Sequence, residues 1–97
     1  MALIISEKIQ QKLTHKHGVS RKEVVQCFAN RDREIDPLID DREENRTDPP
    51  THWLIAETDH GRRLKVVFVV CDDQNVYLKT AYEPSRKEMR MFFGEDE

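Results

Sequence analysis

The sequence has little cysteine, little glycine and no long apolar run. Its two cysteines, Cys27 and Cys71, both lie in apolar stretches. We therefore expect two buried thiols in a reducing compartment, with a disulfide or a redox pair as the less favoured alternative. No stretch approaches the roughly 20 apolar residues that a membrane-spanning helix requires, and the first residues lack the basic and apolar regions of a signal peptide. These absences predict a cytoplasmic protein that does not bind a membrane.

A surplus of basic residues is also missing. The formal net charge is −3, which argues against a protein that binds nucleic acid through bulk charge alone. Acidic residues are concentrated at 32–48 and 95–97, so other segments are locally basic. The charge is segregated along the chain, and a local basic patch is compatible with the acidic total.

The first part of the chain predicts two helices. Apolar residues recur four apart between Leu3 and His15, which is the spacing of one helix face, and Gly18 then favours a helix end. The segment Ser20–Glu23 is a capping box, in which serine and glutamate satisfy each other's exposed backbone donors. A second helix should therefore run from this box to about Asn30.

The second half predicts three strands and a closing helix. The strand candidates are Thr51–Thr58, Arg63–Cys71 and Val76–Tyr82, and the short turns between them require antiparallel neighbours. The middle strand is apolar on both faces, so we expect the two N-terminal helices to cover it. Another capping box, Ser85–Glu88, opens a short amphipathic helix.

Between these halves lies an acidic, proline-containing segment from Asp32 to Pro50. It predicts a loop with a short edge strand around Leu38–Asp40. The length suits one domain, residues 1–97. The predicted fold class is α+β, with two N-terminal helices packed on an antiparallel sheet of three to four strands and a short C-terminal helix.

Two parts of the sequence resemble a known family. The segment His17–Ser20, with Glu23, Val24 and Phe28, resembles the helix junction of BrnT-type toxins. The segment Leu78–Arg86, with Glu88, resembles the ending of those toxins and of the wider RelE-like superfamily, where a strand carrying a basic residue leads into a short basic helix. The resemblance implies a RelE/BrnT-like fold and a cytoplasmic ribonuclease toxin that is neutralised by a bound antitoxin.

Similar sequences sometimes bear the name ADP-ribosyl-(dinitrogen reductase) hydrolase. Such hydrolases use a large helical domain with a dinuclear metal site built from several aspartates. A chain of 97 residues is too short to supply that scaffold, so we do not expect this activity.

Metal-free RNA cleavage needs a proton acceptor, a proton donor and cations that stabilise charge on the phosphate. A hairpin that turns near residues 73–74 places Lys65 near Tyr82 and Lys79 near Phe68 on neighbouring strands. The predicted catalytic group is Lys65, Lys79 and Arg86 as phosphate-binding or charge-stabilising residues, Tyr82 as an acid and Glu83 as a base. The alternative is that these lysines are simply solvated and that Tyr82 packs at the sheet end.

A basic segment surrounds the predicted helix junction. Lys16, His17, Arg21 and Lys22 are predicted to contact RNA, with His17 as a further candidate acid or base. The alternative is that His17 lies at a helix end, where a cation is favourable anyway, and that the lysines are solvated.

No cofactor is predicted, and no metal site. The four histidines do not have the spacing of ligands on one helix, and no Cys-x-x-Cys motif accompanies them. Trp53 is expected to fill the core rather than to stack on a base.

Two functions remain open from the sequence. The first is a toxin-like, metal-independent RNA endonuclease whose partners are RNA, on or off the ribosome, and a cognate antitoxin that adds a helix or a strand to an exposed surface. The second is a non-catalytic RelE-like binding or regulatory module. The acidic balance favours the second, and the basic residues Lys65, Lys79 and Arg86 favour the first.

Overall fold

The computed structural model describes residues 2–40 and 49–94, which form helices and one mixed sheet. In chain order the elements are β1 (Leu3–Ile4), α1 (Glu7–Lys12), α2 (Arg21–Asn30), β2 (Leu38–Ile39), β3 (Thr51–Glu57), β4 (Arg63–Val70), β5 (Val76–Tyr82) and α3 (Arg86–Phe93). The α+β prediction is confirmed. The centre of the predicted acidic loop, residues 41–48, and the acidic tail, 95–97, lie outside the described residues.

The sheet has the strand order β1-β5-β4-β3-β2. Strands β2 to β5 pair antiparallel as predicted, and β2 is the short edge strand expected near Leu38. The predicted sheet of three to four antiparallel strands was too small, because β1 pairs parallel with β5 at the other edge. A two-residue strand has no periodicity of its own that a sequence pattern could show.

The first helix begins later than the spacing of apolar residues predicted. Leu3 and Ile4 pair with Val76 and Tyr77 instead of joining the helix. The helix starts after Ser6, whose hydroxyl accepts a hydrogen bond from the backbone N–H of Ile9 at 3.2 Å. After α1 the backbone widens into a π-helical turn over residues 13–17. The apolar spacing was correct for the helix face but did not reveal its first residue.

Helices cover both faces of the sheet. On one face Phe28 of α2 packs edge-on against Phe68 of β4, with the ring centres 5.3 Å apart. On the other face Phe92 of α3 lies 5.9 Å from Trp53 of β3. Side chains alternate between the two faces of a strand. Lys65 and Phe68 therefore point to different faces of the sheet, and Lys65 lies on the face that α3 covers. The prediction that N-terminal helices cover the central strand therefore accounts for one face only.

The β4–β5 pairing contains a bulge that changes the position of Lys79. Lys65 lies opposite Tyr82, as predicted. Val67 pairs with Thr80 but Phe68 pairs with Leu78, so Lys79 is the extra residue on β5. The predicted neighbour relation between Lys79 and Phe68 is off by one residue, because the turn-based register assumed an uninterrupted ladder.

The helix ends follow the sequence signals closely. Both predicted capping boxes are present, with Ser20 paired to Glu23 and Ser85 paired to Glu88. Gly18 follows the π-helical turn in the left-handed conformation, at φ 61°, where a side chain would be unfavourable. None of the described helices is long and apolar enough to cross a membrane.

Both cysteines are free thiols. Cys27 is fully buried, and its Sγ lies 3.6 Å from the backbone oxygen of Ala56. Burial raises the pKa of this thiol to about 12, so the group is protonated at neutral pH and is a poor nucleophile. Cys71, directly after β4, is only half-buried, so the expectation of a buried thiol is wrong for this residue.

We predict that Leu64→Ala lowers the free energy of unfolding by about 2–5 kcal/mol, because Leu64 is fully buried and its removal leaves a cavity in the core. Urea denaturation measures the change. The control Val25→Ala removes a side chain that is 46% exposed and should cost no more than about 0.5 kcal/mol. Equal costs for the two variants would contradict the assignment of the core.

Candidate active site

Three polar side chains meet on the α3 face of the sheet. Lys65 is 6% exposed, and its Nζ donates hydrogen bonds to Glu88 Oε2 at 2.8 Å and to Tyr82 Oη at 3.2 Å. The Tyr82 hydroxyl donates in turn to the same Glu88 oxygen at 3.1 Å. We call these residues the Lys65 triad. The triad connects the central strand, the neighbouring strand and the closing helix.

The local structure explains why Glu88 reaches Lys65. Ser85 ends the segment after β5 and caps α3, which places Glu88 in the first helical turn. Glu88 Oε1 accepts a hydrogen bond from the Ser85 backbone N–H at 2.9 Å, while Oε2 faces Lys65 and Tyr82. One carboxylate therefore caps the helix and compensates a buried charge.

Aromatic rings complete the surroundings of the Lys65 ammonium group. The Nζ lies 4.4 Å from the centre of the Trp53 ring and 5.5 Å from that of Tyr82, within the range of cation–π attraction. Trp53 is 5% exposed, as expected for a core residue. The ammonium group is thus held by one full charge, one hydroxyl and two aromatic faces.

The carboxyl of Glu88 is strongly acidic. Burial raises its pKa, but this effect is outweighed by hydrogen bonds from Lys65, the Ser85 backbone and Tyr82 and by the charge of Lys65. The pKa falls to about 2 as a result. Glu88 is therefore ionised at neutral pH. A base of such low pKa accepts protons poorly, so the group is suited to holding Lys65 and Tyr82 in place.

The imidazole ring of His17 lies next to the ring of Tyr82. The two rings are tilted by 35°, and their centres are 5.6 Å apart. His17 belongs to the π-helical turn that precedes Gly18, so the helix junction brings an imidazole to the end of β5. The structure therefore brings three of the predicted residues together: Lys65, Tyr82 and His17.

Arg62 fixes this junction to the sheet. Its guanidinium donates to the backbone oxygens of His17 at 2.9 Å and Gly18 at 2.8 Å. It also forms ion pairs with Glu23 at 3.2 Å and with Glu83 at 3.0 Å. Planar guanidinium groups suit such a set of partners because their donors point in fixed directions.

Arg62 and Glu23 stabilise each other's charged forms. Burial raises the pKa of Glu23, but the Ser20 backbone and Arg62 lower it below its ordinary value. Burial lowers the pKa of Arg62, but Glu83 and Glu23 raise it above the ordinary value. The predicted base Glu83 is thus a partner of Arg62, although its side chain is 67% exposed.

The remaining predicted residues lie around this region, and within residues 2–40 and 49–94 no hydrogen bond or ion pair joins them to the Lys65 triad. Lys79 is exposed at the bulge, three residues before Tyr82 and so about 10 Å away along the strand. Arg86 is exposed at the first position of α3. The junction residues Lys16, Arg21 and Lys22 are exposed, and the Arg21 guanidinium also donates to the backbone oxygen of Leu3 at 2.9 Å.

Sequence reasoning missed two members of the site. From the sequence, Glu88 had a place in a capping box and in the family resemblance but no role in the site, and Arg62 had no role there either. No local signal reveals that Glu88 reaches across to β4, because the contact depends on the direction in which α3 leaves the sheet. The role of Arg62 requires the packing of the helix junction against the β3–β4 turn.

A groove runs between β2 and α3, next to the Lys65 triad. Its volume is about 420 Å³. Trp53 and Lys65 lie among its lining residues, together with Ile39 and Asp40 from the β2 side and with Ser85, Lys87, Glu88 and Met91 from the α3 side. Among residues 2–40 and 49–94, no group of three or more His, Cys, Asp or Glu side chains could hold a metal ion.

Comparison with known proteins assigns no family: no family model matches the chain, and no curated protein is significantly similar to it.

We predict that acid destabilises the protein partly through Glu88. Its pKa is about 2 when folded, against an ordinary 4.5, so the unfolded state binds this proton first as the pH falls. The stability that Glu88 contributes is complete above about pH 4.5 and is lost towards pH 2. Denaturation across this range should show a shallower pH dependence in Glu88→Gln than in the wild type.

The control is Glu57→Gln, which alters the exposed pair between Glu57 and Arg63. This variant should keep the wild-type dependence on pH. A full acid-dependent loss in Glu88→Gln would show that the carboxylate is not held as described.

We also predict that Arg62→Met lowers the free energy of unfolding by about 1.5–3 kcal/mol, because several partly buried partners lose their donor. Arg63→Met is the neighbouring control. Its pair with Glu57 is solvated, with side chains 49% and 53% exposed, and should contribute about 0–1 kcal/mol. Equal losses in the two variants would contradict a special role for Arg62.

Proposed function

We propose that the chain is a toxin-like, metal-independent RNA endonuclease of a toxin–antitoxin pair, with a RelE/BrnT-like fold and acting in the cytoplasm. The observation that supports it is the position of Tyr82. Its hydroxyl is bonded to Lys65 and Glu88 while its ring lies against His17. A proton donor, a cation and an imidazole therefore meet at one end of the sheet.

The chemistry assigns different roles to these groups. His17 takes the proton from a 2′-hydroxyl, the 2′-oxygen attacks the phosphorus, and the 5′-oxygen leaves with a proton from Tyr82. Lys65 donates to the Tyr82 oxygen and so stabilises the negative charge that develops there. The products are a 2′,3′-cyclic phosphate and a 5′-hydroxyl, and no metal ion takes part.

The exposed cations provide the contacts to the RNA backbone. Lys16, Arg21 and Lys22 surround the junction that carries His17, while Lys79 extends from β5 and Arg86 from α3. Phosphate contacts of this kind position a nucleic acid without reading its bases. They are local, and the acidic total of the chain limits binding through bulk charge.

One observation favours a second function, a non-catalytic RelE-like binding or regulatory module. The charge of Lys65 is already compensated by Glu88 at 2.8 Å, and Lys79 lies apart from the triad. A scaffold that has lost catalysis would retain this ion pair for stability alone. The two functions differ in whether purified protein cleaves RNA.

We expect the purified protein to cleave end-labelled RNA, with or without ribosomes, in EDTA. Tyr82→Phe and His17→Gln should each lower the cleavage rate by about 10²-fold, since each removes one proton-transfer group. His15→Gln is the matched control, because His15 is exposed in the same turn, and it should cleave at the wild-type rate. The melting temperature of each variant confirms that it folds.

A variant with Lys65→Ala, Lys79→Ala and Arg86→Ala tests the predicted cations together. Loss of cleavage in this variant supports a site on the sheet. Unchanged cleavage in Tyr82→Phe and His17→Gln would place the activity elsewhere. Absence of cleavage by the wild type would leave the binding module as the function.

A further inference from the structure

We propose that the groove between β2 and α3 binds an acidic, amphipathic segment of a partner protein. The groove is lined by Lys65 and Glu88 of the Lys65 triad, so a bound segment would cover part of the proposed cleavage site, but the proposal does not depend on whether the chain cleaves RNA. It depends on three observations: the apolar rims of the groove, the unbalanced charge of α3, and the charged groups already paired in its floor.

The rims of the groove are apolar and exposed. Ile39 on the β2 side is 56% exposed, and Met91 on the α3 side is 55% exposed. Both are among the most exposed large apolar side chains of the described residues. Exposed apolar side chains that flank a cavity are typical of protein-binding surfaces, and methionine adapts to different partners. A phosphate backbone gains nothing from them.

The charge of α3 specifies an acidic partner. The helix carries Arg86, Lys87 and Arg90 against one carboxylate, Glu88, which is already paired with Lys65. Within residues 2–40 and 49–94 none of the three cations forms an ion pair. Lys87 lines the groove itself. In a chain of net charge −3, this helix is a local basic surface.

The charged groups in the floor of the groove are already paired with each other. Trp53 packs against Phe92, and Lys65 is held by Glu88 and Tyr82. A bound segment therefore meets a preformed surface and orders no buried group, which lowers the entropic cost of binding. The acidic side of the segment faces α3, whose basic residues attract it.

An isotopically labelled sample of the full chain tests this proposal by NMR. The probe is a synthetic peptide of about 15 residues, or about four helical turns, with leucines along one face and glutamates along the other. A scrambled peptide of the same composition and a short single-stranded RNA serve as comparisons. We expect the first peptide to shift the resonances of Ile39, Lys87 and Met91 and of the Trp53 indole N–H.

Paired substitutions then locate the surface. Met91→Glu should weaken binding of the peptide by about tenfold or more, because it removes an apolar contact and adds a repelled charge. Val25→Glu is the matched control, since Val25 is 46% exposed on α2 and lies outside the groove. This control should change the dissociation constant by no more than about twofold.

Several results would overturn the proposal. Equal binding of the scrambled peptide would show attraction by charge alone. Resonance shifts confined to the helix junction would place the surface elsewhere, and RNA shifting the groove residues as strongly as the peptide would make the groove a nucleic-acid interface. No binding of the peptide at millimolar concentration would also reject it.

Discussion

The buried ammonium group of Lys65 is the constraint on which the α3 face of the molecule depends. A charge taken out of water is costly unless it is paired and hydrogen-bonded. Lys65 obtains a carboxylate from α3, a hydroxyl from β5 and an aromatic face from β3. The direction in which α3 leaves β5 brings Glu88 to Lys65, so this ion pair ties the helix to the sheet. The capping box strengthens this constraint, because the same carboxylate holds the Ser85 backbone.

Arg62 ties the helix junction to the end of β5. It binds the backbone oxygens of the helix junction and the carboxylates of Glu23 and Glu83. Tyr82 and Glu83 are neighbours in sequence, so the end of β5 is held by Lys65 at one residue and by Arg62 at the next. The Tyr82 ring, whose hydroxyl is fixed in this way, lies with its centre 5.6 Å from that of His17.

Sequence patterns predicted the contacts that follow from local rules. The hairpin register placed Lys65 opposite Tyr82, and the two capping boxes began α2 and α3 at the correct residues. The patterns failed where a contact depends on a distant part of the chain. Leu3 and Ile4 form a strand only because β5 offers a free edge, and the extra residue Lys79 changes a register that turn length alone cannot specify.

The candidate site divides in the same way. Lys65, Tyr82 and His17 were predicted and are close together, but Glu88 and Arg62, which hold them there, were not predicted as part of the site. Lys65 and Tyr82 could be placed from the pairing of two strands, and His17 from a recognisable helix junction. The contacts of Glu88 and Arg62 depend instead on how a helix and a turn pack against the sheet, which the sequence does not show. For the proposed activity this means that the Lys65 triad and the exposed RNA-binding cations are different groups, while His17 shares its turn with the cation Lys16. Because Lys65 is already neutralised by Glu88, the affinity for RNA must come from the exposed cations, and the triad acts on the proton of Tyr82 alone.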